Sequence, residues 1–350
     1  MKRNDFGTLP HKTAHLQART SQRSDQRLAK ELFSPGTLSN QQRLCIFLKS
    51  FCITISYNIQ ISIMRKHTTK KTAILTALIL TINLCYGQKV EKSPTIGDLI
   101  LVPGGTYHRD NKAENTNTVD TFMIGATEVT QEQYTKVTGL KNPSKNKKNL
   151  QAPVESVSWF NALYFCNKLS IQEGLTPVYS IKGSTNPSDW GAVPKEDDKE
   201  WRKVEVNWNA NGYRLPTVAE WQWAALGGRR ENNYIFSGAS VGSVQDVAWY
   251  IENSNSSIQQ VGTKKPNEIG LFDMSGNVFE ICWASPELNQ KGAQVNPKGD
   301  ERYDVTRAIC GGSFDSKLMM LNIKVVLPFS PYDKYPNAGF RVVRNYKNSQ

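Results

Sequence analysis

The stretch Gly270–Trp283, GLFDMSGNVFEICW, contains the best candidate for a cation site in this sequence. Four oxygen donors at offsets 0, 3, 5 and 7 could surround one ion: the carboxylates of Asp273 and Glu280, and the main-chain carbonyls of Gly276 and Val278. Calcium favours such a mixture of carboxylates and carbonyls on a tight loop. The spacing is not that of an EF-hand. The alternative is a Ser-Gly-Asn turn between two strands, with Glu280 paired to an arginine.

The scarcity of histidine excludes several kinds of enzyme. His108 is the only histidine after residue 67, so a Ser-His-Asp or Cys-His site would have to be built on it. A three-histidine metal site is impossible there. Because His108 lies in the polar stretch YHRDNKAEN, we expect it to be a surface residue. Neither a P-loop nor a GxGxxG nucleotide-binding motif is present.

The positive charge of the chain is concentrated near its start. The 350 residues carry a net charge of +12. Residues 1–72 hold 13 basic and 3 acidic residues, which is +10, and this leaves +2 for all the rest. The later part is therefore nearly neutral, and no local basic patch is evident in it. The sequence thus predicts no nucleic-acid partner.

A secretory signal peptide is predicted over residues 64–87. The basic stretch Met64–Lys71 precedes the apolar run Ala73–Leu84, and small residues follow. The run is too short to cross a bilayer core of ~30 Å as a helix. Acylation of Cys85 would make a lipoprotein, but a leucine precedes it where a small residue is expected. We therefore favour export to the periplasm, the outer-membrane surface or the medium over a lipid anchor.

The predicted signal peptide sets the expected domain boundaries. Because a signal peptide lies near the start of a chain, Met64 is predicted to be the true start and residues 1–63 a non-native extension of the reading frame. The alternative is a membrane-associated extension, against which Lys49 inside its apolar run argues. Residues 88–98 are interpreted as a polar lead-in, and residues 99–346 as one folded domain with no transmembrane helix.

Three cysteines remain after the leader. They are Cys166, Cys282 and Cys310, and an odd number leaves at least one thiol without an intramolecular partner. Their wide spacing matches no zinc site. We expect each to be a small buried hydrophobe, with a disulfide between two of them as the alternative.

Three short segments have the pattern of amphipathic helices. They are TQEQYTKVTG from Thr130, SWFNALYFCNKLS from Ser158 and TVAEWQWAALGG from Thr217. Each begins at a hydroxyl residue suited to the N-cap, and Gln133 and Glu220 complete capping boxes in the first and third segments. Gly139 and Gly227 are predicted to end those two helices.

Strands are predicted where apolar or alternating residues occur. The segments are Leu99–Tyr107, Thr121–Val129, Val247–Ile251 and Gly339–Arg344, together with a strand that runs into the Gly-Gly turn of Ile309–Leu321. Strands and helices do not alternate regularly, which disfavours a parallel doubly wound sheet. The pattern indicates an α+β fold with much irregular structure.

Seven motifs, in order, resemble those of the formylglycine-generating enzyme, or sulfatase-modifying factor, family. They are LVPGGTY, VDTFMIGATEVTQEQY, PVESVSWFNALYFCNKLS, GYRLPTVAEWQWAALGG, NEIGLFDMSGNVFEICW, CGGSF and AGFRVVR, and they cover nearly all of residues 99–346. The resemblance implies a compact α+β domain with a C-type-lectin-like fold, stabilised by calcium. It places Asp273, Gly276, Val278 and Glu280 at one of the family's calcium loops.

The same resemblance raises a question about catalysis. Family enzymes oxidise a sulfatase cysteine to formylglycine with oxygen and a copper ion held by two thiolates. Those cysteines follow the Gly-Gly-Ser turn at positions that correspond here to Ser316 and Leu321, whereas Ser313 matches the family's serine. A hydroxyl binds soft Cu(I) far less well than a thiolate, and leucine offers no donor. Met319 and Met320 could donate thioether sulfur, but core packing is expected for both.

The resemblance also implies that the family's disulfides are absent. Cys166 matches a family cysteine, but its partner position is Val342, and the second bridge would involve the position of Ala225. The function of the related iron-dependent sulfoxide synthases is strongly disfavoured, because their metal site needs several histidines and only His108 remains.

Two functions remain from the sequence. The favoured one is a non-catalytic, calcium-stabilised binding or assembly module of the cell envelope, with a protein partner that the loop Ser180–Lys203 could contact. An unconstrained solvent loop is the alternative interpretation of that segment. The alternative function is a copper-dependent oxidase acting on a sulfatase polypeptide.

Overall fold

The largest sheet of the computed structural model has five antiparallel strands. The structure describes residues 89–228, 234–285, 290–302 and 306–346, so the predictions for the extension and the signal peptide lie outside it. The strand order is β1 (Val90–Ser93), β2 (Gly97–Val102), β5 (Phe122–Gly125), β14 (Val343–Asn345) and β8 (Tyr213–Arg214). The segment interpreted as a lead-in therefore supplies an edge strand of this sheet.

Three smaller sheets accompany the largest one in the described part of the chain. The first has the strand order β10 (Gln294–Val295), β4 (Thr116–Val119), β3 (Gly105–His108). The second has the order β12 (Val326–Phe329), β11 (Arg307–Cys310), β9 (Phe279–Cys282), β13 (Ala338–Gly339). The third pairs β6 (Tyr179–Ser180) with β7 (Glu205–Val206). Parallel pairing occurs between β10 and β4 and between β13 and β9, and the other pairs are antiparallel. Short mixed sheets joined by long loops confirm the α+β class.

The three predicted helices are confirmed. They are α1 (Gln131–Thr138), α2 (Trp159–Gln172) and α4 (Val218–Ala225), and both predicted capping boxes are formed. A third capping box, between Ser158 and Asn161, starts α2. Two one-turn helices, α3 (Lys199–Arg202) and α5 (Val244–Val247), were not predicted. Three 3₁₀ turns cover Pro187–Asp189, Val241–Ser243 and Leu318–Leu321.

The capping box of α4 provides a local test of helix stability. Thr217 Oγ1 accepts a hydrogen bond from Glu220 N, and the Glu220 carboxylate accepts one from Thr217 N. Thr217→Ala removes the first of these and is expected to lower the free energy of unfolding by about 1 kcal/mol. Urea denaturation would measure the loss. Thr217→Ser keeps the acceptor, so an equal loss in that variant would contradict this explanation.

Three of the strand predictions were correct in place but wrong in extent. Leu99–Tyr107 is divided between β2 and β3, and Gly339–Arg344 between β13 and β14. Only residues 122–125 of Thr121–Val129 pair, because the chain turns towards α1 after Gly125. The prediction for Val247–Ile251 was wrong: this segment begins at the last residue of α5 and continues without strand pairing.

The main core packs α2 against the strands with many aromatic side chains. Trp159 and Phe160 are fully buried, and the Trp159 ring lies 5.1 Å from that of Trp283 between centroids. The loop Ser180–Lys203 is not unconstrained, because it buries Trp190 and Trp201 with their ring centroids 5.4 Å apart. Over the described residues, every helix is too short or too polar to cross a bilayer.

Candidate functional site

The predicted cation loop and the Gly-Gly turn are brought together at one end of β9 and β11. Gly276 N donates to the Gly311 carbonyl at 2.8 Å, and Phe314 N donates to the Asn277 carbonyl at 2.7 Å. Asp273, Gly276 and Asn277 all have left-handed backbone conformations, with φ of 57°, 92° and 55°. The Ser-Gly-Asn segment is thus a tight turn that packs directly on the Gly-Gly turn.

Gly276 is required at this turn for a steric reason. A Cβ atom at this position would lie 2.2 Å from the main-chain oxygen of Trp249, and the backbone has φ of 92°. Gly276→Ala is therefore expected to lower the free energy of unfolding by about 3 kcal/mol or more. Gly139→Ala is the matched control, because Gly139 has φ of 68° but nothing within 4 Å of the added atom. Equal losses in the two variants, measured by urea denaturation, would contradict the steric explanation.

Glu280 is held by a buried ion pair. Arg341 Nε and one terminal nitrogen donate to the two carboxylate oxygens of Glu280 at 2.6 Å each, and Trp221 Nε1 donates to Oε2 at 2.7 Å. The side chains of Arg341 and Glu280 are 0% and 1% exposed. Arg341 also donates to the carbonyls of Gly125 and Phe272. The arginine pairing that the sequence offered as the alternative is therefore present.

Asp273 and Glu128 form the less satisfied part of the same buried cluster. Asp273 Oδ2 accepts from Gly262 N at 2.7 Å. No described group donates to Asp273 Oδ1 or to either carboxylate oxygen of Glu128. Burial raises the pKa of Asp273 to about 6, against the opposing effects of the Gly262 N–H and the Arg341 charge. Burial and the charge of Asp273 raise the pKa of Glu128 well above its usual range.

Glu128 is a functional candidate that the sequence reasoning missed. It follows β5 in the motif GATEVTQ, two residues before the N-cap Thr130, and is only 1% exposed. The available signal was a carboxylate inside an otherwise apolar or small-residue segment. The negative charge of Asp273 acts on Glu128, so the two carboxyl groups belong to the same buried cluster.

The predicted oxygen ligands of this loop fit a calcium ion only in part. Asp273 has an unpartnered oxygen, and oxygen-rich turns with carboxylates are what calcium selects. The Glu280 carboxylate is instead bonded to Arg341 and Trp221. Across the described residues, no three His, Cys, Asp or Glu side chains cluster in a way that could hold a metal ion. Calcium at this loop would thus depend on Asp273 and main-chain carbonyls, with Glu128 as the nearby unpartnered carboxylate.

The Gly-Gly-Ser turn carries a network of hydroxyl groups. Ser313 and Ser316 place their Oγ atoms 2.7 Å apart, and Ser316 Oγ also accepts from Ser313 N at 3.0 Å. Ser313 Oγ donates to the Asp315 carboxylate at 2.7 Å, and Asn337 Nδ2 donates to the same carboxylate at 2.9 Å. Ser313 is fully buried, whereas Asp315 reaches solvent. The turn thus presents hydroxyls and a carboxylate.

The residues after this network lie in the 3₁₀ turn Leu318–Leu321. Leu321 is fully buried in an apolar cluster, and its carbonyl accepts from Ser275 Oγ at 3.0 Å. The expectation of core packing was wrong for Met319, which is 83% exposed, because a 3₁₀ turn directs consecutive side chains around its axis. Met320 packs partly against the core, as expected.

All three cysteines of the described chain are free and buried, as expected. Cys282 and Cys310 lie on the adjacent strands β9 and β11, with their sulfur atoms 3.9 Å apart. Burial raises the pKa of the Cys166 and Cys282 thiols above their usual range. His108, predicted to lie at the surface, is exposed at the end of β3.

Comparison with known proteins identifies the family. The sequence profile of the sulfatase-modifying factor enzyme 1-like domain matches residues 87–346. The chain belongs to this family. The match agrees with the resemblance carried by the seven sequence motifs, and it begins near the proposed end of the leader.

Individual proteins match this chain over different lengths. The chaperone protein LppX of Paenibacillus barcinonensis is 35% identical over 271 residues, which cover 71% of this chain and 89% of that protein. The formylglycine-generating enzyme of Streptomyces coelicolor is 31% identical over 160 residues, 39% of this chain and 51% of the enzyme. The structure of Treponema denticola variable protein 1 superimposes with a TM-score of 0.64 and 30% identity, covering 74% of this chain and 99% of that one. This similarity supports the formylglycine-generating-enzyme fold, which is C-type-lectin-like.

Proposed function

We propose that this chain is an exported, non-catalytic member of the family that binds a polypeptide partner in the cell envelope. The observation that carries the proposal is the chemistry at positions 316 and 321. Ser316 offers a hydroxyl already bonded to Ser313, and Leu321 offers a buried side chain without a donor atom. Two thiolates are needed to hold Cu(I) as the family's oxidases do. The remaining sulfur atoms of Cys282 and Cys310 are fully buried in the sheet.

The relatives support a binding role. One that is similar over most of its length is named a chaperone, and chaperones bind other polypeptides. The basic and apolar leader supports export, which would bring the chain to an envelope partner. Calcium bound at Asp273, with the carbonyls of Gly276 and Val278, would stabilise the turn beside Gly311. In that arrangement Glu280 would position the loop through Arg341.

The oxidase remains the second candidate because the Gly-Gly-Ser turn and Ser313 are retained. The two functions are separated by incubating the purified protein with Cu(I), oxygen and a peptide bearing the sulfatase cysteine motif. We expect no aldehyde above the control without protein, whereas the Streptomyces coelicolor enzyme should convert the same peptide. Formylglycine detected by mass spectrometry with this protein would contradict the proposal.

An aggregation assay tests whether the protein binds other polypeptides. We expect the protein to slow the aggregation of the reduced insulin B chain in proportion to its concentration, measured by light scattering. An equal concentration of serum albumin controls for non-specific effects. Aggregation at the same rate with and without the protein would count against a polypeptide-binding role.

A further inference from the structure

A cleft borders the end of β3, away from the Gly-Gly-Ser turn. It consists of two cavities of about 520 and 580 Å³. Both cavities are lined by Asp110, Lys112 and Lys324, so they lie side by side, and the pair is here named the β3 cleft. Neither Ser313 nor Ser316 lines it. Each of the two volumes lies within the range of known ligand sites, about 300–1,000 Å³.

The floor of the β3 cleft is a fixed polar network. Arg109 donates to the Thr116 carbonyl at 3.0 Å and to Asn117 Oδ1 at 3.2 Å. Asn117 Nδ2 donates to the Tyr107 hydroxyl at 3.1 Å, and that hydroxyl donates to Gln222 Oε1 at 3.0 Å. Because these side chains are already held in place, a ligand would lose little free energy in ordering them.

The rim of the β3 cleft is cationic. Lys112, Lys291 and Lys324 are exposed and line it together with Arg109. The one acidic residue that lines the cleft in the described chain is Asp110, whose carboxylate accepts from Lys112 N and Asn115 Nδ2 at 2.8 Å each. Within the described ranges, no ion pair joins the three lysines to a carboxylate. Such a concentration of positive charge favours an anionic ligand.

The other end of the β3 cleft is apolar. Leu226, Tyr234 and Ile235 line the second cavity beside Tyr107, and Ile235 is 42% exposed. Apolar surface next to ammonium groups would accommodate apolar side chains beside carboxylates. Such a mixture is typical of a polypeptide segment, whereas the closely spaced charges of a nucleic-acid backbone would leave the apolar end unused.

We infer that the β3 cleft binds a polypeptide segment in which acidic residues neighbour large apolar ones. This inference rests on the proposed polypeptide-binding function and specifies its ligand and its surface. The carboxylates would lie near Lys112 and Lys324, and the apolar side chains would contact Leu226 and Ile235.

The probe is a fluorescein-labelled ten-residue peptide with two adjacent Asp and two adjacent Leu in a Gly-Ser background. Fluorescence anisotropy should show saturable binding to the full chain that weakens as salt rises. Lys112→Glu with Lys324→Glu should weaken binding at least tenfold. The matched control, Lys147→Glu with Lys148→Glu, makes the same charge change at exposed lysines that do not line the cleft, and it should bind as the unaltered protein does.

Peptide variants test the two halves of the ligand. Replacing both Asp with Asn, or both Leu with Ala, should each weaken binding. The inference would be overturned if these peptides bound as tightly as the original peptide, or if the two pairs of lysine substitutions had equal effects on binding. It would also be overturned if a uronate oligosaccharide or DNA bound more tightly than the peptide. If the protein still slows insulin aggregation while the Lys112 and Lys324 variant does so equally well, the proposed function stands and the β3 cleft is not its site. If neither assay shows binding, both fail.

Discussion

Replacing Arg341 with methionine is expected to lower the free energy of unfolding by about 3–5 kcal/mol. Arg341 is the cation of a buried cluster that also contains Glu280, Asp273 and Glu128. Removing one partner of a buried ion pair leaves the other charge desolvated without compensation. The change also leaves the carbonyls of Gly125 and Phe272 without their guanidinium donor. Urea denaturation followed by tryptophan fluorescence would measure the loss.

An exposed ion pair supplies the control for this experiment. Lys265 and Asp246 are joined at 3.0 Å, with side chains 73% and 44% exposed. Lys265→Met should change the free energy of unfolding by at most about 1 kcal/mol, because solvent and salt screen such pairs. A loss of similar size in the Arg341 and Lys265 variants would show that burial does not strengthen the Arg341 contact.

Local signals explain why the helices could be predicted. The residues that start α1, α2 and α4 bond to main-chain groups three residues away, so the information lies within four consecutive residues. The strands depend on distant partners. β14 pairs with β5 and β8, which precede it by more than a hundred residues. The apolar segment Val247–Ile251 has strand composition but no such partner, so composition alone gave the wrong prediction.

The candidate sites also differ in whether their residues are close together or far apart in the sequence. The turn at Gly276 and the Gly-Gly-Ser turn each consist of consecutive residues, so both could be found from the sequence. The β3 cleft gathers Arg109, Lys291 and Lys324 from three separate segments of a nearly neutral domain. The absence of a basic patch in the sequence therefore did not exclude one on the surface. The environment of Glu128 likewise depends on Asp273, which is 145 positions later in the chain.

Calcium should stabilise the unaltered protein much more than it stabilises Asp273→Asn. In the presence of a chelator at pH 7.5, both Asp273 and Glu128 are disfavoured as buried carboxylates. The pKa of Asp273 is raised from 3.8 to about 6 in the folded protein. Its contribution to stability is therefore greatest below pH 4, falls as the pH rises through about 6, and is constant above that. Asp273→Asn removes this loss, so the variant should be about 2–3 kcal/mol more stable than the unaltered protein at pH 7.5 in chelator.

Adding calcium should first cancel this difference and, at about one thousand times the dissociation constant, reverse it. A cation that binds only the folded state stabilises it by an amount that grows with its concentration, reaching about 2.7 kcal/mol at one hundred times the dissociation constant. The unaltered protein should gain this stability at pH 7.5, whereas Asp273→Asn has lost the carboxylate and should gain much less. Urea denaturation with calcium or with chelator, at pH 4.5 and pH 7.5, measures both effects. Asp246→Asn, at an exposed position, controls for the lost charge. Equal calcium effects on all three proteins would show that Asp273 does not hold the ion.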